Sequence, residues 1–126
     1  MAEHYSSFTE GGRLWLWQRI TAAFLVVVLA FHFFLLHFVY HADEVTFALS
    51  QSRMQTWTYY SLMILFLITA TFHGVNGVYN ALLNQGLTGT KRQVVKWTPF
   101  VASGILLVQG IRHAYAWAGI GVIVQD

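Results

Sequence analysis

Leu62-Met63-Ile64-Leu65-Phe66-Leu67-Ile68-Thr69-Ala70-Thr71-Phe72-His73-Gly74-Val75-Asn76-Gly77 is an apolar stretch that closes on a histidine set among glycines and small polar residues. It lies inside a run from Trp57 to about Leu82 that contains no Asp, Glu, Lys or Arg. About 20 such residues in a helix cross a hydrocarbon layer of about 30 Å, so the run reads as a membrane span. An ionisable side chain inside a span is costly, and His73 is therefore expected to have a function. For an imidazole in a helical bundle the commonest one is to bind a metal or a haem iron.

Composition agrees with a membrane protein. Of 126 residues, 56% are hydrophobic and 10% charged, with a mean hydropathy of +0.53, against about 25% charged in a soluble domain. The chain reads as one all-α membrane domain over residues 1–126. It has no cysteine, which excludes thiolate-held iron-sulfur clusters, disulfides and Cys-based zinc sites within it. Seven Lys and Arg give a net charge of +2 and a pI near 9.2; these are too few and too scattered for a nucleic-acid surface.

Three spans are expected, at about 17–39, 57–82 and 99–118. Trp15, Trp17, Trp57, Trp97 and Trp117, with several tyrosines, fall near their ends, where amphipathic rings favour the headgroup layer. Thr98-Pro99 has the form of an N-cap followed by proline at the first helical position, and predicts that the third helix starts there. Segment 84–96 then reads as a polar loop. Arg13 and Arg19 flank the first span, and Lys91, Arg92 and Lys96 fill the second loop, whereas the first loop sets Asp43 and Glu44 against Arg53. The positive-inside rule puts the N-terminus and the second loop in the cytoplasm and the C-terminus outside. The expected location is a prokaryotic cell membrane. No cleaved signal peptide is expected, because the first apolar run is long enough to span.

Depth separates the histidines. At about 1.5 Å per residue, His32 lies roughly 22 Å and His73 roughly 13 Å from the cytoplasmic face, too far apart in depth to share one iron. Each needs an opposing histidine from elsewhere, which predicts a second membrane subunit and two stacked haems. Phe66, Thr69, His73, Gly77, Asn80 and Asn84 share one face of the second span, and Gln18, Thr21, Leu25, Val28 and His32 share one of the first. Gly77 leaves room beside His73 for a porphyrin plane or a neighbouring helix. His37, about 140° round a regular helix from His32, is the competing distal ligand. His113 is a further alternative at a depth near that of His32, His41 reads as interfacial and His4 as tail. Arg112 suits either haem propionates or snorkelling to the outer interface.

Trp15-Leu16-Trp17-Gln18-Arg19-Ile20-Thr21-Ala22 leading into the first span, His32 after it, and Phe72-His73-Gly74-Val75-Asn76-Gly77 late in the second together resemble the small membrane-anchor cytochrome b subunits of succinate:quinone oxidoreductases, the succinate dehydrogenases (complex II) and fumarate reductases. The resemblance covers essentially the whole chain. Two-haem members of that family pair two three-helix anchors around two b-type haems, each anchor giving one ligand to each haem. The resemblance thus implies His73 as the axial ligand of the proximal haem and His32 as that of the distal one. It also implies a flavoprotein subunit that oxidises succinate in the tricarboxylic acid cycle and an iron-sulfur subunit that passes electrons towards quinone. Arg19, with Trp15, Trp17 or Gln18, is expected near the quinone headgroup. Many family anchors carry an Asp-Tyr pair where this chain has Asn84-Gln85, so the tyrosine hydroxyl is missing, and Tyr79 inside the helix does not replace it.

The chain alone is expected to have no turnover. Other readings remain open from the residues: a haem-free scaffold, a single haem held through His73, or a proton relay lined by His32, His73 and His113. The relay lacks any acidic residue within a span to continue it.

Overall fold

The computed structural model describes residues 10–119, and every regular element among them is helical. Helix α1 (Glu10–Phe34) passes into a π-helical turn (Leu35–Val39). A 3-10 turn (Ala42–Glu44) and a short helix α2 (Phe47–Met54) follow, then the long helices α3 (Trp57–Leu83) and α4 (Gly89–Ala118). Gly12–Val39, Trp57–Leu83 and Gly89–Ala118 are each long and apolar enough to cross a membrane.

Two details of the chain differ from the sequence reading. Helix α4 starts at Gly89 and not at Pro99, which lies inside it. Thr88 is its N-cap residue, without a side-chain capping bond. Proline removes one backbone donor, a defect of about 3 kcal/mol, but one defect does not stop a 30-residue helix that propagates on both sides of it. The turn is made earlier, by Gly86 at φ 75°, a left-handed conformation that glycine adopts without a Cβ clash. The loop therefore shrinks to residues 84–88, and Lys91, Arg92 and Lys96 stand exposed on the first turns of α4. The second difference is α2, which the sequence reading left as loop. Thr46 caps it, its hydroxyl accepting from the Leu49 amide at 3.2 Å. Phe47 then packs on Trp117 of α4, with ring centroids 4.7 Å apart.

Helix α3 packs against both α1 and α4. On the α4 side the approach is close: a Cβ on Gly110 would lie 2.6 Å from a Leu67 methyl. Beside that contact, Ala70, Gly74, Val78, Pro99, Ala102 and Leu106 line an open apolar groove. Among the described residues only Val28, Ala118, Thr21 and Thr69 are buried, while Val26, Val27 and Leu29 are about two-thirds exposed. An apolar surface of that extent requires lipid or other subunits to cover it.

Gly110→Val forces Leu67 out of its place between α3 and α4, an overpacking cost of about 1–3 kcal/mol. A lowered thermal midpoint of the purified assembly is expected. Gly104→Val, at a glycine whose Cβ direction is open, is expected to leave the midpoint unchanged.

Candidate functional site

The polar face of α3 meets the polar face of α1 at His73. On α1, Gln18 and Thr21 are three residues apart; on α3, His73, Asn76 and Gly77 follow at steps of three and four, so each set shares one side of its helix. Thr21 Oγ1 lies 3.1 Å from His73 Nδ1. The Gln18 amide Nε2 donates to the His73 backbone carbonyl at 3.1 Å, and its Oε1 accepts from Asn76 Nδ2 at 2.8 Å. Gly77 makes room for this crossing: a Cβ there would lie 3.1 Å from Gln18 Nε2. Of the two occupants proposed for the Gly77 space, the neighbouring helix takes it. Thr21 and, one turn from His73, Thr69 are buried, and His73, Gln18 and Asn76 are half-buried.

One ring nitrogen of His73 is thus engaged, and the other makes no hydrogen bond among the described residues. Among the described residues the sole buried side-chain nitrogen or oxygen without a partner is Arg53 Nη2, beside the Tyr40 ring. No three His, Cys, Asp or Glu side chains converge among the described residues to hold a metal ion by themselves. A lone imidazole with one nitrogen anchored and one without a hydrogen bond suits an iron whose macrocycle already supplies four ligands, to which protein adds only axial ones.

The other candidates lie apart. His32 is exposed and makes no hydrogen bond among the described residues. It follows Thr21 by 11 residues on the same face, about 16 Å further along the helix. His73 and His32 therefore sit at different levels. His37 lies in the π-helical turn, its Nδ1 3.0 Å from the Phe33 carbonyl and its ring stacked on Phe33 at 4.0 Å. The 140° offset from His32 assumed a regular helix; the Tyr40 amide reaches back five residues to Leu35, so that spacing does not hold beyond Phe34. His41 is exposed before the 3-10 turn, and His4 lies outside the described residues. Arg19 turns away from the His73 face and stacks on Trp15 of its own helix, its guanidinium carbon 4.6 Å from the ring centroid. Arg112 and His113 are exposed on α4, and Arg112 donates to Gln109 at 3.3 Å. Because Gly110 faces Leu67, Arg112 lies about 12 Å from the His73 level, on the side of His32. Asn84 and Gln85 are exposed in the α3–α4 turn.

Gln18, expected on the polar stripe of the first span and as one alternative beside Arg19 near a quinone, ties α1 to α3 together with Asn76. The sequence reading gave Asn76 no role, because the stripe drawn on the second span did not include it.

A family model for the succinate dehydrogenase/fumarate reductase transmembrane subunit matches residues 2–111, a span that takes in α1, α3 and most of α4. Searches of curated proteins and of solved structures return no match.

Gln18→Leu and Asn76→Leu, alone and together, measure the crossing. A coupling energy of about 0.6–1.7 kcal/mol in the unfolding of the purified assembly is expected. Additive losses would show that the two side chains act independently.

Proposed function

The chain belongs to the succinate dehydrogenase/fumarate reductase transmembrane subunit family, and on that premise we propose that it is a haem b-binding membrane anchor that passes electrons from an iron-sulfur subunit to quinone. The observation that carries this reading is the His73 ring, held at Nδ1 beside Thr21 and with no hydrogen bond at Nε2 among the described residues, in a membrane-length helix without Asp, Glu, Lys or Arg. In this reading His73 would hold the iron of a b-type haem together with a residue of a second anchor subunit. His32 binds a second haem, about 16 Å further along. Six-coordinate haem iron supplies one-electron transfer without an open position for oxygen. The residues of this chain hold the imidazole in place, exclude water from it and give the assembly its membrane-embedded surface.

Arg112 lies within about 5 Å of the His32 level, which supports a propionate partner for the second haem. Arg19 belongs to the cytoplasmic end, beside Trp15 and Trp17, and is the candidate for the quinone headgroup. Succinate oxidation belongs to a flavoprotein subunit, so this chain has no turnover by itself. Its N-terminus and its α3–α4 turn lie in the cytoplasm, which brings His73 nearer than His32 to the iron-sulfur subunit.

A reduced-minus-oxidised spectrum of the purified complex tests the reading. Two b-type haems per copy are expected, one lost in His73→Ala and the other in His32→Ala. One haem, lost only with His73, would discard the role of His32, and a complex with no haem would leave a scaffold. Orientation has its own test, since the chain contains no cysteine. In intact cells an impermeant maleimide is expected to label Asp43→Cys and to spare Lys91→Cys until the membrane is opened; the reverse pattern would invert the topology.

A further inference from the structure

We infer that Thr21 is a positioning residue that holds His73 as the Nδ1–H tautomer and, through it, sets the reduction potential of the iron bound at Nε2. This rests on the haem-binding reading of His73. Proton count at Thr21 fixes the tautomer of His73. A threonine hydroxyl has one hydrogen to give and two lone pairs to accept with. Thr21 Oγ1 has three polar neighbours: the Trp17 carbonyl at 2.7 Å, the Gln18 carbonyl at 3.1 Å and His73 Nδ1 at 3.1 Å. Both carbonyls are acceptors only, and the shortest contact, to Trp17, takes the hydrogen. A bare Nδ1 would then set its lone pair against those of Oγ1. Nδ1 therefore carries a hydrogen and donates it to Thr21, and a neutral ring so protonated has its lone pair on Nε2.

The relay Nδ1–H to Oγ1–H to the Trp17 carbonyl ends on the backbone of α1. A hydroxyl that is itself donating is a stronger acceptor, so the chain makes the imidazole a better electron donor at Nε2. A more electron-rich ligand favours oxidised iron. Loss of the Thr21 hydroxyl therefore moves the potential in the positive direction. The backbone of His73 is fixed independently by Gln18, whose amide reaches its carbonyl at 3.1 Å, so Thr21 acts on the ring rather than on the helix that carries it.

The test uses the assembled complex carrying Thr21→Val, Thr21→Cys or Thr21→Ser, with b-type haem quantified from the difference spectrum and the midpoint potential taken by redox titration. Thr21→Val keeps the shape and removes the hydroxyl; haem affinity is expected to fall about 10- to 100-fold, with a more positive potential in the haem retained. Thr21→Cys leaves a small, weakly accepting group, so that the complex assembles and its potential shifts the same way by less. Thr21→Ser is expected to restore wild-type values. Val28→Ala, which trims a buried residue on the same face about 10 Å from Thr21, controls for packing and is expected to leave the potential unchanged. Wild-type affinity and potential in the Val or Cys variant would overturn the inference, as would a Ser variant that behaves like Val or an equal shift in Val28→Ala. A wild-type complex that holds no b-type haem would instead overturn the functional reading beneath it, so the two failures are distinguishable.

Discussion

Every side-chain hydrogen bond between two membrane-length helices among the described residues runs through Gln18, Thr21, His73 and Asn76. In a hydrocarbon layer apolar side chains gain nothing from leaving lipid for protein, so helices associate through close packing and a few polar contacts. The α3–α4 pair uses the first device, with Gly110 against Leu67. The α1–α3 pair uses the second, and its register is set where the Gln18 amide meets the His73 carbonyl and the Asn76 amide. The same register puts the Thr21 hydroxyl against one nitrogen of the His73 ring. The α1–α3 pairing and the orientation of the His73 ring thus depend on a single cluster of four side chains.

Little of the described chain is buried. Large apolar side chains on α1 face outward, and the buried positions among the described residues are mostly small or hydroxylated: Thr21, Val28, Thr69 and Ala118. A helix hydrophobic on all sides reads as a membrane element, and its outward faces are available to lipid and to other subunits.

Much of this was legible in the residues. An uninterrupted apolar run is decisive for a membrane span because the bilayer fixes its length, and the stripe positions Thr21, Val28, Thr69 and Gly77 do turn inward. The signals that failed were local. Pro99 imitates a helix start, yet the stretch from Gly89 to Thr98 is helical as well, and the chain turns where Gly86 supplies a left-handed residue. Helix α2 was marked by its Thr46 cap, but its eight residues show no run long enough to be read from periodicity. The π-helical turn that carries His37 has no pattern that spacing at 3.6 residues per turn detects.

The most direct test of the account is a cryo-EM map of the assembled complex at side-chain resolution around His73. The account predicts density for a planar macrocycle at Nε2, with Nδ1 within hydrogen-bonding distance of Thr21 Oγ1 and the Gln18 amide on the His73 carbonyl. A ring whose Nε2 meets lipid or a protein acceptor, with no macrocycle beside it, would contradict it.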